Sequence, residues 1–216
     1  MASSLQPAQR RRLQSRADAR RAILDATEAL IVEDGLEAFS MRRLADRCGY
    51  TAPTIYHYFG DKQTLIDELV EERCRVLLRG LKRVPLGEDD VENLRAMTLA
   101  FVRFGLRYPT HYRLLSVPID EERTPPPSAE AARILMQSPL ERLAAQGRVP
   151  AGVEPVGQAL WAYLHGHILL RTSRPDHAWA SGVLELGLDA LLRALIPPAG
   201  GARARAASSN PEEPTA

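Results

Sequence analysis

Apolar residues recur along this chain at helical intervals, and no segment sustains an apolar–polar alternation, so the pattern predicts helices and argues against strands. Between 17 and 34, Ile23, Ala26, Leu30 and Ile31 recur at helical spacing, and Gly35 follows where a helix ends. Ser40 stands as an N-cap before "MRRLADRC", and Gly49 closes that helix after about two turns. Thr51 caps the next, "APTIYHYF", with Pro53 in the first turn, where a missing N–H costs little. Asp61 caps a longer segment that ends near Pro85. Further helices are predicted over 89–107, 110–117, 128–146 with a kink at Pro139, 153–172 and 176–195. The chain is therefore read as all-α, with nine helices.

Two short capped helices separated by "CGY" have the layout of a helix-turn-helix. Leu44 and Ala45 face inward from the first, Ile55 and Phe59 from the second, and Leu36 and Phe39 close the wall against helix 17–34. Tyr56, His57 and Tyr58 lie outside that stripe. Each carries a hydrogen-bond donor suited to phosphate oxygens; the other reading is that one or two of these rings lap over the domain's next layer.

Composition narrows the classes. Hydrophobic residues make up 45% and charged residues 25% of 216, ordinary for a globular protein, and no apolar run reaches the roughly 18 residues a bilayer span needs. The basic N-terminus has no apolar stretch behind it, so no secretory signal is expected and the chain is placed in the cytoplasm. Cys48 and Cys74 form neither a disulfide framework nor a metal-ligand spacing. Net charge is only +1, but Arg10, Arg11, Arg12, Arg16, Arg20 and Arg21 face Asp18 alone among the first 21 residues. That stretch is either a solvated, disordered leader or an arm that neutralises phosphates. "DEERTPPPSAE" reads as an exposed, semi-rigid loop, and 197–216 as a disordered tail.

The stretch "SMRRLADRCGYTAPTIYHYFGDKQTLIDELV" resembles the DNA-binding motif of the TetR family of bacterial transcriptional regulators. Ser40, Cys48 before Gly49, Thr51, Ile55 with Tyr56, the run His57 to Phe59, and Lys62 carry the match. The resemblance implies a basic arm over 1–17, a three-helix DNA-binding domain over 18–78, a ligand-binding and dimerisation domain over 88–196, and the tail. It further implies that Ser40 caps the first motif helix at the DNA surface and that Thr51, Thr54, Tyr56, His57, Tyr58 and Lys62 meet backbone phosphates. Ala52 and Pro53 would approach base edges, and Arg42 would take a guanine bidentately. Ala52 and Pro53 offer only apolar contact, so specificity would rest on Arg42, Tyr56 and DNA shape. A flexible arginine-rich leader would enter the adjacent minor groove or add nonspecific affinity.

In the second half, "FVRFGLRYPTHYRLLS" and the W-x-x-x-H-G run at Trp161, His165 and Gly166 resemble the ligand-binding domains of one group within the family. Trp161 and His165 are either packed core or part of an effector cavity, with Phe101, Phe104, Tyr108 and Tyr112 as further candidate walls for a small apolar or aromatic effector. Helix 176–195 is apolar on more than one face and, with 153–172, would form a two-fold interface. The expected protein is a homodimeric repressor that binds a palindromic operator on double-stranded DNA and is released by its effector. The alternative is a DNA-binding regulator or architectural protein without one. No catalytic, cofactor or metal motif accompanies His165 and His167, so an enzyme is not expected.

Overall fold

The computed structural model describes residues 7–116 and 124–198. Among the described residues it contains nine helices and no strand: α1 (Pro7–Asp34), α2 (Met41–Cys48), α3 (Ala52–Phe59), α4 (Lys62–Leu81), α5 (Asp90–Arg107), α6 (Pro109–Leu115), α7 (Pro127–Ala145), α8 (Val153–Ser173) and α9 (Val183–Leu195). They form two compact units, one of Met1–Val76 with Tyr108–Glu130 and one of Leu77–Arg107 with Ala131–Ala216.

Three boundaries differ from the sequence reading. The helix expected from residue 17 begins at Pro7, so residues 7–17 are helical and not a disordered arm. Pro7 is preorganised for a first helical turn, residues 8–17 contain no glycine or β-branched side chain, and Gln14 bonds Asp18 one turn on at 2.9 Å. Met1–Gln6 lie outside the described residues, as do residues 199–216 of the expected tail, residue 117 at the end of the predicted helix 110–117, and 118–123, which include the first residues of the expected loop "DEERTPPPSAE". Secondly, α6 belongs to the first unit, although 88–196 reads as one domain in sequence. Thirdly, α9 starts at Val183 and not near 176: residues 174–182 form turns and coil, and Gly182, at a left-handed φ of 72°, is the cap position from which the helix begins.

The first unit closes around Ile23, Leu30, Leu44, Ile55, Phe59 and Leu69, with Leu114 of α6 in the same cluster. The inward positions read from the sequence occupy it: Leu44, Ala45, Ile55, Phe59 and Phe39 are buried and Leu36 packs against them. Against this apolar cluster lies a network of polar and charged side chains. Glu28 on α1 meets Arg73 of α4 at 3.1 Å and His111 of α6 at 2.6 Å, and Arg73 also reaches Asp25 at 2.5 Å.

The second unit packs α5, α8 and α9 together, helped by Gly105, whose bare backbone lets Ile168 of α8 approach. Gly187 likewise leaves room for Tyr163, whose hydroxyl donates to the Leu184 carbonyl at 3.0 Å. In α7, Pro139 has no N–H for the Leu135 carbonyl, and the Ser138 hydroxyl donates to it instead at 3.1 Å. Asp90 accepts from Asn93 and Arg142, and the Arg142 guanidinium holds its carboxyl below the usual range.

Candidate nucleic-acid interface

The geometry of α2 and α3 follows from their caps. Ser40 sits in extended backbone, and its hydroxyl accepts the Arg43 N–H at 3.3 Å. Gly49 ends α2 with a φ of 70°, a conformation that costs glycine nothing and turns the chain sharply into α3. Thr51 repeats the device: its hydroxyl accepts the Thr54 N–H at 3.4 Å and pairs with the Thr54 hydroxyl at 2.9 Å. Gly60 terminates α3, its N–H bonding the Tyr56 carbonyl at 2.8 Å, and Asp61 then caps α4 through the Thr64 N–H at 2.7 Å. That backbone bond lowers the Asp61 carboxyl below its ordinary value.

With Ile55 and Phe59 buried beneath it, α3 presents its other face outward. Thr51, Pro53, Tyr56 and His57 are exposed, Tyr56 by 45% of its surface. Thr54 is half-buried. Tyr58 is also half-buried: it lies against the core and stands edge-on to His57, with ring centroids 6.1 Å apart. Ala52 packs partly on the same core, which leaves Pro53 as the more open of the two apolar residues at the start of α3. Lys62 is exposed, yet its ammonium donates to the Phe39 carbonyl at 2.8 Å and lies 5.4 Å from the Phe39 ring centre. One of its three donors is thereby used in holding the turn before α2.

The arginines around the motif differ in how they are compensated. Arg43 pairs with Asp34 at 2.7 Å, and Arg47 grips Glu33 through both oxygens at 2.7 and 3.0 Å, which lowers the Glu33 carboxyl. Arg20, which carried no individual role in the sequence reading, pairs with Glu68, donates to the Tyr58 carbonyl at 3.2 Å and lies 4.6 Å from the Phe59 ring centre. It ties α1 to the end of α3. Arg42, on the first turn of α2, is exposed and has no such partner among the described residues.

Of the candidate effector walls, three come together in the second unit. His165 lies 4.5 Å from Trp161 and 5.5 Å from Phe101 between ring centroids, and burial lowers its pKa. Trp161 is not core: 62% of it is exposed. Phe104 is buried in the same unit. Tyr108 and Tyr112 belong instead to the first unit, because α6 packs on α1. Tyr108 stacks on His111 at 5.3 Å, and Tyr112 is buried with its phenol pKa raised. The network of Glu28, Arg73 and His111 was missed in sequence, although Glu28 between Leu24 and Ile31 interrupts an apolar stripe, a sign of a paired buried charge. Among the described residues no acidic, histidine or cysteine cluster is arranged to hold a metal, and no helix is long and apolar enough to cross a membrane.

Comparison with known proteins points the same way. Residues 23–69 match the model of bacterial regulatory proteins of the tetR family, and residues 94–195 match that of the tetracyclin repressor-like C-terminal domain. The HTH-type transcriptional repressor KstR of Rhodococcus jostii is 35% identical over 91 residues, 42% of either chain. The class D tetracycline repressor of Escherichia coli is 32% identical over 91 residues, 41% of this chain and 40% of its own. The chain thus spans about two-fifths of the length of these curated relatives. A TetR family transcription regulator from Marinobacter aquaeolei VT8 superposes with a TM-score of 0.65 at 20% identity, over 85% of this chain and 98% of that one. The regulator PfmR from Thermus thermophilus does so with a TM-score of 0.62 at 24% identity, over 79% and 97%. A capped helix-turn-helix, the all-helical fold around it, and two family models that together take in most of the chain agree: the protein belongs to the TetR family of bacterial regulatory proteins.

Proposed function

We propose that this protein is a homodimeric transcriptional repressor that binds a palindromic operator through α2 and α3 and leaves it when a small apolar or aromatic effector binds the second unit. The observation that carries the DNA reading is the division of α3: Ile55 and Phe59 are buried, while Thr51, Pro53, Tyr56 and His57 remain open on the opposite side. In this reading Thr51, Thr54, Tyr56, His57 and Tyr58 meet phosphates, Lys62 adds one of its remaining donors, and Pro53 with Ala52 touches base edges. Ser40 fixes the start of α2 at the groove, so that Arg42 projects a free guanidinium toward a guanine. Dimerisation through α8 and α9 is supported by Trp161, Leu169 and Leu186, apolar side chains 59–69% exposed on those two helices. The aromatic cluster of Phe101, Trp161 and His165 suits an apolar or aromatic effector, in keeping with a W-x-x-x-H-G type of domain.

Selection of bound fragments from genomic DNA by the purified protein tests this reading. Palindromic sites should be enriched, Tyr56→Phe should weaken binding to every duplex, and Arg42→Ala should in addition relax base preference. Failure to enrich any fragment, or unchanged affinity in both variants, would refute the assignment. For the effector, a saturating ligand at 100 times its dissociation constant adds about 2.7 kcal/mol of stability and is visible in a thermal-shift screen.

A further inference from the structure

Within the first unit the arginines divide by what answers them. Arg20, Arg43, Arg47, Arg73 and Arg75 each meet a carboxylate, and Arg113 donates to the Val32 carbonyl. Arg11, Arg16, Arg21 and Arg42 meet neither among the described residues. Only Arg42 has a part in the operator reading above; the other three ride on α1.

Helix geometry sorts those three. At 3.6 residues per turn Leu13, Arg16, Ala17, Arg20 and Leu24 fall on one side of α1, whereas Arg11 and Arg21 each point about 140° away from Arg16, in opposite senses. Leu24 is buried in the core, but the same stripe runs on uncovered past it, with Leu13 55% exposed and Arg16 open to solvent. Arg20 anchors that side of α1 to the end of α3. One turn earlier, the Arg16 guanidinium carbon lies 5.9 Å from the Tyr58 ring centre, and Tyr58 stands against His57 at 6.1 Å. A row of donors, Arg16 to Tyr58 to His57, thus leads from α1 onto the outward face of α3. Asp18, the acidic residue of this stretch, is on a different side of the helix and is bonded by Gln14.

We infer that Arg16, held on the helical extension of α1, takes a DNA backbone phosphate next to those reached by His57 and Tyr58, so that the footprint continues from α3 onto α1. The inference rests on the operator reading above. The occupant is set by charge and shape: a row of donors containing an uncompensated cation matches a polyanion. An α-helix about 10 Å or more across does not enter a minor groove about 6 Å wide, so the extension lies along the backbone, where phosphates are the nearest anions to Arg16.

Fluorescence anisotropy of the full-length protein on a selected operator and on a scrambled duplex, across a salt series, decides the matter. Arg16→Gln should flatten the slope of log K against log salt by about 0.9 per arginine removed, about 1.8 for a dimer on two half-sites, and equally on both duplexes. Arg16→Lys should keep the slope, and Arg11→Gln, on the far side of the helix, should leave it unchanged. An unaltered slope for Arg16→Gln would overturn the inference. So would equal flattening by Arg11→Gln, which means diffuse electrostatics, or a loss of discrimination between the two duplexes, which means base readout. If the wild-type protein binds neither duplex, the operator reading itself falls; if it binds and Arg16→Gln changes nothing, only the contact from α1 does.

Discussion

Replacing Glu28 by glutamine keeps the shape of the side chain and removes its charge at a buried position of the first unit. The Glu28 carboxylate is 5% exposed, 3.1 Å from Arg73, whose side chain is equally buried, and 2.6 Å from His111. Breaking a buried pair by neutralising one partner costs about 3–5 kcal/mol, because the other charge stays desolvated. Here Arg73 retains Asp25 at 2.5 Å and Glu72 at 3.5 Å, both better solvated, so the lower end, about 3 kcal/mol, is expected. For a chain of this size that corresponds to a fall in Tm of about 6–12 °C. Urea unfolding should show a lower midpoint at unchanged slope. Hydrogen exchange should locate the effect, since α6 is held to α1 by His111 on Glu28 and by Arg113 on the Val32 carbonyl at 3.2 Å. Amides of α6 should exchange faster in Glu28→Gln than elsewhere in the unit. Replacing Glu28 and Arg73 together by leucine and methionine should cost far less than Glu28→Gln alone, because no charge is then left buried without its partner. A loss below about 0.5 kcal/mol for Glu28→Gln would refute the reasoning, as that is the range of an ordinary surface change.

Two further outcomes probe the packing and titration of particular groups. In Gly105→Ala the new methyl would lie 2.7–3.1 Å from three side-chain carbons of Ile168, so overpacking of about 1–3 kcal/mol should exceed the gain in helix propensity of about 1 kcal/mol. Ile168→Ala should relieve that clash, and a double-mutant cycle by chemical denaturation that proves additive would contradict the close approach of α5 to α8. Burial pushes the Cys74 thiol up to about 11, so the folded state keeps a proton that the unfolded chain begins to lose near pH 8.5. Stability from this group is therefore complete below that pH and falls by about 2–3 kcal/mol as pH rises to 11. Cys74→Ala should remove that part of the alkaline slope, and a slope identical to wild type would show that the thiol is not so perturbed.

What the sequence disclosed and what it hid divide along the distance over which each feature is determined. The motif was legible because its causes are local: Ser40 and Thr51 cap within three residues, Gly49 and Gly60 turn the chain, and Ile55 and Phe59 meet one turn apart. The first ten residues of α1 differ from the sequence reading because an arginine-rich run with few apolar positions looks alike as a leader and as a helix; Pro7 and the link from Gln14 to Asp18 tip it to helix. Tyr108 and Tyr112 fall with Phe101 in the sequence reading because a proline break says where a helix stops but not which layer the next one joins. Buried charge shows the same limit. Glu28 stands out in its stripe, but its partners lie 45 and 83 residues away, and no spacing rule connects them. The surface proposed to face DNA depends on both kinds of information. Its helices follow from caps and stripes, whereas its charge depends on which arginines carboxylates have already claimed. Arg43 and Arg47 sit on the same short helix as Arg42, yet Asp34 and Glu33 from the end of α1 neutralise those two and leave Arg42 open. In that way α1 both supports α2 and selects which of its three arginines stays without a carboxylate partner, free for the proposed contact with a base.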